Sequence, residues 1–590
     1  MTPTSGKSAV SRRRFLASAA AGAALARSGA VYAGQPFAQT RRSGRPNVIL
    51  VITDDQGYGD MGCAGNPHIR TPNLDRFHAR SVRLTNYHVS PTCSPTRAAL
   101  LTGRYTNRTG AWHTIMGRSL LRRDETTLGD VFAAAGYRTA VFGKWHLGDS
   151  YPYRPQDRGF AEALVHGGGG VGQTPDWWGN TYFDDTYLRN GKPERFRGYC
   201  TDIWFAEAMR FIEAEKDRPF FLYLATNAPH GPYRVPPEYI EPYRNRPEVP
   251  DPAFYGMISC IDENFGRLER KIDELGLADN TILIFMTDNG TSGRGFNAGM
   301  RGRKSSEYEG GHRVPCFVRW RGGGIDGGRD VPTLTAHIDM LPTLASLCGI
   351  PHRTARPIDG MDVSPLLRGT PVAWPQRVLV VDNQRVDVPV KGKNFAVMTD
   401  RWRLVNGREL YDMDRDPGQE HNVAAEHPDV VTRLADEYEK WWASVWADAQ
   451  APTPIVIGSD RENPARLTCH DWHSPAVPWD QSMIRNGMRA NGWWDVEIER
   501  EGMYRFELRR WPAELDKPIV AAVPGSKAIP ARRARISIDG MERMAAVEAD
   551  QPAAAFEMPL KPARCRLQTW FFDEGGNELC GAYYVYVRRL

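Results

Sequence analysis

Four runs of apolar residues, each followed by polar side chains, constrain the fold of this chain more than any other feature. The runs span residues 47–53, 139–143, 220–224 and 281–287. Near-continuous apolar stretches of this length are typical of strands that are buried on both faces. Helical patterns separate the runs, and this alternation predicts an α/β domain whose mainly parallel sheet is flanked by helices.

Chemically distinctive residues follow each run, most of them directly. They are Asp54 and Asp55, Lys144 and His146, His230, and finally Asp288 with Asn289. Because open α/β sheets place their sites at the carboxyl ends of the strands, we expect these side chains to meet at one rim. A single aspartate often only caps a helix or a turn. Two pairs that follow buried strands instead predict a hard, oxygen-rich site suited to calcium or magnesium.

The segment 93–104, Cys-Ser-Pro-Thr-Arg-Ala-Ala-Leu-Leu-Thr-Gly-Arg, predicts a helix that begins near Cys93. Pro95 suits the first turn of such a helix, and Gly103 suits its end. Cys93 would then lie at a helix amino terminus, where free N–H groups and the macrodipole favour an anion. A buried structural thiol and a reactive thiolate are the alternative interpretations of this cysteine.

Two further units are predicted after the α/β domain. Residues 386–450 contain apolar runs at 395–399 and 402–405, which predict short strands, and a helical pattern on one face. The residues of that face are Val431, Leu434, Tyr438, Trp441, Trp442 and Val445. Beyond residue 451, apolar residues alternate with polar ones at 494–498 and 504–508, which predicts a β-sandwich-like domain.

The amino-terminal residues have the layout of an export signal. Residues 1–33 combine Ser11-Arg12-Arg13-Arg14-Phe15-Leu16, a short alanine-rich apolar stretch and Val31-Tyr32-Ala33. Paired arginines before such a stretch resemble the bacterial twin-arginine signal, and residues 34–45 read as a polar linker. We therefore expect a periplasmic or secreted protein, exported by the twin-arginine machinery, with no stable membrane span.

Composition excludes some other classes. The net charge is only +5 over 590 residues and the arginines are scattered, so no nucleic-acid partner is expected. None of the nine cysteines forms a C-x-x-C pair, which argues against a zinc ribbon or a thioredoxin-like site. A hairpin turning at 575–576 would leave Cys565 and Cys580 about six residues out of register, so no disulfide between them is predicted.

Taken together, these motifs resemble those of the sulfatase family, which belongs to the alkaline phosphatase-like superfamily. Cys93, Pro95 and Arg97 match the family hallmark C-x-P-x-R. Further matching blocks follow in family order at 54–60, 143–148, 228–230, 287–290, Lys304 with 309–311, and 410–417. The likeness covers about residues 46–450, which implies a catalytic domain at 46–385, a carboxyl-terminal sulfatase subdomain at 386–450 and an accessory domain at 451–590.

The resemblance implies a role for each matching residue. One calcium ion is held by Asp54, Asp55, Asp288 and Asn289, together with the modified Cys93, which a formylglycine-generating maturation enzyme has oxidised to formylglycine. Arg97 and Lys144 orient that group, and Lys144 and Lys304 contact the sulfate. His146 assists the aldehyde hydrate, and His230 lies near the leaving oxygen, where it or Lys304 donates a proton. His113 and His312 are weaker candidates for contact with the substrate.

The implied activity is hydrolysis of sulfate monoesters. A sulfate ester is a poor electrophile wrapped in negative charge, so a cation and lysines are needed to neutralise the charge of the transition state. A hydrated aldehyde offers one hydroxyl for attack on sulfur and a second whose deprotonation releases the sulfate. The expected substrates are sulfated carbohydrates, with a sulfated polysaccharide preferred because of the export signal and the extra domain, or aryl sulfates.

Two other functions compete with this one. The first is a phosphomonoesterase or a phosphonate monoester hydrolase with the same fold. Phosphonate monoester hydrolases have pairs resembling Asp-Gln and Asp-His at the metal, whereas this sequence has Asp-Asp and Asp-Asn. A carbohydrate-binding protein with a silent catalytic half is the other alternative. Its support is a set of aromatic residues suited to stacking on sugars, which also suggests an accessory glycan-binding role for 451–590. They are Trp493, Trp494, Trp511, Trp570, Tyr583 and Tyr586.

Overall fold

Ten strands form a central mixed sheet in the computed structural model, which describes residues 44–590. In spatial order the strands are Asp330–Val331, Val82–Leu84, Cys316–Arg319, Thr281–Thr287, Asn47–Thr53, Phe220–Ala225, Arg138–Lys144, Glu162–His166, Thr186–Arg189 and Lys192–Arg195. The predicted signal peptide and nearly all of the predicted linker lie outside the described residues.

The four predicted strands lie together at the centre of this sheet. Asn47–Thr53 pairs in parallel with Thr281–Thr287 on one side and with Phe220–Ala225 on the other. Arg138–Lys144 extends the parallel set, and Glu162–His166 completes it. Antiparallel partners begin only outside these five strands, so the prediction of a mainly parallel core is confirmed.

The central strand is buried on both faces, as its apolar run predicts. Alternate residues point into two separate cores, with Val48 and Leu50 in one and Ile49 and Val51 in the other. Helices supply the opposite wall of each core. Cys93–Thr102, Leu128–Ala134 and Met340–Leu347 pack on the first face, and Pro72–Arg80, Cys200–Glu215 and Pro252–Glu274 on the second. Shorter helices are Thr106–Thr109, Pro237–Ile240, Glu309–His312 and Ser364–Arg368.

The smaller subdomain is a four-stranded antiparallel sheet covered by one long helix. Its strands are Leu379–Asp382, Phe395–Met398, Trp402–Val405 and Glu409–Asp412, and its helix is Pro428–Ala449. The sequence predicted the two middle strands. On the helix, Val430 is buried and Val431 only partly so, which moves the start of the predicted apolar face by one residue.

The carboxyl-terminal region forms two packed sheets, as predicted. One contains Ile455–Ile457, Trp493–Ile498, Ala563–Phe572, Arg533–Ile538, Met541–Ala546 and Glu578–Cys580; the other contains Ala465–Thr468, Tyr584–Arg589, Gly502–Arg509 and Ala554–Leu560. A short helix, Gln481–Arg485, lies between strands of this region. Trp494 and Val496 from the first sheet share a core with Tyr504 and Phe506 from the second, so the alternating residues face inward.

The aromatic residues singled out for sugar stacking are not exposed platforms. Trp494, Trp511 and Tyr583 are buried in the core, and Trp493, Trp570 and Tyr586 are half-buried. The ring of His473 stacks on Trp493, and the Arg535 guanidinium lies over Trp570. Packing therefore accounts for these rings without a bound glycan.

Two further findings concern the cysteines and the helices of the described residues. Cys580 pairs with Phe571, six residues from Cys565, and both cysteines are free thiols. No helix within residues 44–590 combines the length and the apolar character needed to cross a bilayer.

Substitution of two glycines tests how tightly the end of the strand Arg138–Lys144 is packed. A Cβ on Gly143 would lie 2.0 Å from the Ala225 carbonyl oxygen, whereas one on Gly136 meets nothing within 4 Å. Both have positive φ, 107° and 84°. We expect each alanine variant to lose about 1–2 kcal/mol through backbone strain. G143A should lose about 1–3 kcal/mol more through the clash. Thermal and denaturant unfolding measure the difference, and equal losses would contradict the tight packing.

Candidate active site

The acidic residues meet because two neighbouring strands end in register. Thr53 is paired with Thr287, so Asp54 and Asp55 leave the sheet beside Asp288 and Asn289. The Asp55 amide donates to Asp288 Oδ1 at 3.1 Å, and Asn289 Nδ2 donates to Asp55 Oδ1 at 3.0 Å. All four side chains are buried. The predicted rim of oxygen donors is thus a single cluster.

Cys93 lies beside this cluster at the start of its predicted helix. The helix spans Cys93–Thr102 and ends at Gly103, whose φ of 70° is the left-handed conformation that suits glycine. The Cys93 sulfur and a carboxylate oxygen from each of Asp54 and Asp288 all lie within 4.8 Å of one another. Burial raises the pKa of the Cys93 thiol, so an unmodified cysteine here is a neutral thiol and a weak nucleophile.

A cation is paired with each of the three carboxylates. Arg97 Nη2 lies 2.8 Å from Asp288 Oδ2, and Lys144 Nζ lies 2.6 Å from Asp54 Oδ2. Lys304 Nζ lies 2.6 Å from Asp55 Oδ1. Arg97 also donates to the Lys144 carbonyl at 3.0 Å, which ties the helix to the strand end. These contacts offset the large cost of burying carboxylates together.

The charges of the cluster shift its pKa values in opposite directions. Burial and the neighbouring charge of Asp54 raise the pKa of Asp288 to about 7, against the effect of Arg97. Burial also disfavours the charged form of Asp55, but Lys304, His230 and Lys144 outweigh it and hold the pKa of Asp55 well below its usual value. The carboxylates are therefore crowded even with their lysine and arginine partners present.

His146 is held with one ring nitrogen free. Its Nε2 lies 2.9 Å from the Thr114 carbonyl oxygen, so Nε2 carries the hydrogen and Nδ1 a lone pair. Nδ1 is buried and has no hydrogen-bond partner within residues 44–590. Burial, and then the charge of Lys144, keep the pKa of His146 well below 6.5. The residue also adopts a φ of 57°, an uncommon conformation for a non-glycine residue and one often found at functional sites.

His230 faces the cluster from a third strand end. Its Nδ1 lies 2.7 Å from the Gly231 carbonyl and so carries the hydrogen, while Nε2 lies 3.8 Å from Asp55 Oδ2. Burial lowers the pKa of His230 to about 4, although Asp55 opposes this. Burial also disfavours the charged form of Lys304, but Asp55 outweighs it and raises the pKa of that lysine. Lys304 is therefore the protonated group at neutral pH.

His113 and His312, the two weaker candidates for substrate contact, lie in different parts of the structure. His312 lies in a different buried cluster with His88 and Glu309, and its Nδ1 is 2.9 Å from Nδ1 of His88. Glu309 of that cluster forms an ion pair with Arg403. The structure therefore does not bring His312 to the aspartate cluster. His113 is buried near the His146 side of the rim, on the loop that carries Thr114.

The donor set fits a hard divalent cation. Asp54 Oδ1 and Asn289 Oδ1 are buried and have no hydrogen-bond partner in the described part of the chain. Buried acceptor oxygens normally have a hydrogen-bond donor or a cation as partner, and a bound cation would supply the missing partner of these two. Carboxylate and amide oxygens are the ligands that calcium and magnesium prefer.

Comparisons with known proteins agree with this geometry. Residues 46–350 match the Sulfatase family model. The chain belongs to the sulfatase family. Human arylsulfatase A is 32% identical over 500 residues, which are 73% of this chain and 94% of that protein. Mouse N-acetylgalactosamine-6-sulfatase is 32% identical over 439 residues, 67% of this chain and 78% of that protein.

A solved structure supports the same conclusion. Ps i-CgsB, determined in complex with k-i-k-neocarrahexaose, superposes with a TM-score of 0.62 at 28% identity, over 69% of this chain and 94% of that one. This sulfatase therefore has the alkaline phosphatase-like fold and is a sulfuric ester hydrolase. The family assignment favours an enzyme over a purely binding protein, and sulfate over phosphate.

A comparison of Lys304 with its positively charged neighbour Arg303 tests the role of Lys304 in this sulfatase. Arg303 donates to the carbonyls of Gly293 and Gly295 and has no acid partner in the cluster, whereas Lys304 reaches Asp55. We expect K304M to lower kcat for a sulfate ester about 10²–10³-fold, the usual effect of removing a group that stabilises transition-state charge. R303M removes the same charge next to it and should cost far less. Similar losses in both variants would show that only the overall charge matters.

Proposed function

We propose that this sulfatase hydrolyses sulfate monoesters of carbohydrates, with formylglycine at position 93 and one calcium ion as cofactor. The observation that carries the proposal is the meeting of Cys93, Asp54 and Asp288, with their ligand atoms within 4.8 Å of one another. A helix amino terminus, three carboxylates and two lysines surround the same point. Such a site suits a nucleophile beside a cation and an anionic substrate.

Asp54, Asp55, Asp288 and Asn289 would hold the ion, completed by the group at position 93. When present, the ion neutralises charge on the sulfate, and a hydrated aldehyde at position 93 supplies a nucleophilic hydroxyl together with a second one for sulfate release. Asp54 can serve both partners at once, because Oδ2 binds Lys144 while Oδ1 has no partner within residues 44–590.

The other side chains bind the sulfate and move protons. Lys144 and Lys304 bring two positive charges to the sulfate oxygens, and Arg97 holds Asp288 and the Lys144 backbone in place. His146 offers its free Nδ1 lone pair as a base. Because His230 is neutral with its hydrogen on Nδ1, Lys304 is the protonated group available to the leaving oxygen in the free enzyme.

Carbohydrates are the proposed substrate class for two reasons. One relative is an N-acetylgalactosamine-6-sulfatase, and one structural neighbour was solved with k-i-k-neocarrahexaose. Simple aryl sulfates should also react, as small substrates that reach the same sulfate site.

The proposal includes a formylglycine-generating maturation enzyme, and export to the periplasm or the medium through the twin-arginine machinery.

The modification at position 93 can be read directly. We expect the mass spectrum of the tryptic peptide that contains Cys93 to show formylglycine when the protein is expressed with a maturation enzyme, and cysteine without one. Activity on 4-nitrophenyl sulfate should follow the modified fraction. Full activity with an unmodified cysteine, or faster release of phosphate than of sulfate from matched esters, would sink the proposal.

Calcium binding should be visible apart from activity. An ion bound only by the folded protein raises its thermal midpoint in proportion to the logarithm of ion concentration. We expect calcium added after chelation to raise the midpoint and restore activity, with little effect of zinc. D288A should abolish both responses. D382N is the matched control, because Asp382 is also buried with a pKa near 7 but bonds Asn107 instead of the cluster. A calcium response that survives in D288A would contradict the assignment.

A further inference from the structure

A histidine from the carboxyl-terminal sandwich lies next to His146. His470 follows the strand Ala465–Thr468, and its ring centroid is 6.1 Å from that of His146, with the ring planes at 59°. His470 is only 1% exposed, yet its Nε2 has no hydrogen-bond partner within residues 44–590. Buried polar atoms are normally paired with protein, ordered water or a ligand.

One short loop binds both histidines. Within residues 113–118, the Thr114 carbonyl accepts from His146 Nε2 at 2.9 Å, and the Met116 amide donates to the His470 carbonyl at 3.0 Å. The next residue, Gly117, lies so close to the sandwich that a Cβ on it would be 2.9 Å from His473 Nε2. The position of His470 relative to His146 is therefore set by direct backbone contacts.

The sandwich also supports the glycine-rich loop at residues 167–174, which packs against His146 and His230. A Cβ on Gly169 would lie 2.3 Å from His146 Cε1, and one on Gly170 would lie 3.6 Å from His230 Cε1. This loop is held from the sandwich side. Thr174 donates to the carbonyls of Trp479 and Pro478 at 3.0 and 2.6 Å, and Gln481 Nε2 donates to the Gln173 carbonyl at 3.1 Å.

His113 and Arg385 belong to the same polar corner. Burial, together with the nearby charges of Arg385 and His470, lowers the pKa of His113 to about 3. Arg385 is exposed and donates to Ser305 Oγ at 2.9 Å, directly beside Lys304. Arg385 thus lies beside the segment that carries Lys304, and His113 is close enough to His470 to be affected by its charge.

We propose that the carboxyl-terminal sandwich forms one wall of the active site and that His470 Nε2 binds the sugar half of the substrate. This inference deepens the proposed function and rests on it for the identity of the substrate. It assigns residues 451–590 a place in the catalytic unit instead of a detached glycan-binding role. A ring nitrogen buried at such a wall discriminates well, because it rewards a substrate hydroxyl and is left unpaired without one.

Binding can be measured without turnover in the C93A protein. The probes are N-acetylgalactosamine 6-sulfate and k-i-k-neocarrahexaose, titrated by calorimetry into the full-length chain. We expect H470A to raise the Kd of a saccharide that binds about tenfold, the loss expected for one hydrogen bond. H470Q should restore most of the affinity, since the glutamine amide reaches the place of Nε2. In the enzyme that carries formylglycine at position 93, both variants should lower the rate for a sulfated saccharide more than the rate for 4-nitrophenyl sulfate, which has no sugar.

A core variant of the same domain controls for folding. Val496 is fully buried in the sandwich and belongs to its shared core, so V496A should lower the thermal midpoint without changing saccharide affinity. An unchanged Kd in H470A would overturn the proposal, since water would then be the partner of Nε2. Equal loss on 4-nitrophenyl sulfate would also overturn it, because His470 would then act through His146.

The two proposals fail in different ways. If the enzyme hydrolyses aryl sulfates but the C93A protein binds neither saccharide, the sugar wall is overturned while the sulfatase chemistry stands. If saccharide binding depends on His470 but no sulfate ester is hydrolysed by modified enzyme, the proposed function fails and the wall stands.

Discussion

The site depends on burying three carboxylates at one point, which is costly unless each has a cation. The parallel register of Thr53 with Thr287 forces Asp54, Asp55 and Asp288 together, and Lys144, Lys304 and Arg97 then become necessary to the fold as well as to the chemistry. Removing one member of a buried pair leaves its partner uncompensated. Variants of these residues are therefore expected to lose stability together with activity, which is why a calcium response and a matched control are more informative than rates alone.

The central strands, the helix at Cys93 and the smaller subdomain's inner strands were predictable because each carries a strong local signal. Asn47–Thr53 is a continuous apolar run, and Cys93–Thr102 has proline and glycine at its ends. Edge strands such as Asp330–Val331 are too short to show any period. Leu379–Asp382 escaped for a similar reason, since four residues cannot separate a strand from an apolar loop.

The aromatic residues show a different limit of sequence reasoning. Trp493 and Trp494 are adjacent in one strand and so face opposite sides, which the alternation predicts. It does not reveal which side another element covers. In the structure Trp494 is in the core, while Trp493 is covered by His473. The same limit applies to His470, which lies more than three hundred residues from His146 in sequence and in a turn without periodicity.

The contacts of the sandwich with the glycine-rich loop give its position a functional meaning. Gly169 packs against His146 with no room for a side chain, so a small shift of the loop would displace the imidazole. The loop keeps its place through backbone carbonyls of Trp479 and Pro478, which belong to the other domain. A base with a single free lone pair acts only from one orientation. The sandwich therefore stabilises the geometry of His146 even for substrates too small to contact His470. Loss of the packing between sandwich and loop should lower the rate of hydrolysis of every substrate. Loss of the His470 imidazole alone should affect only substrates that contain a sugar.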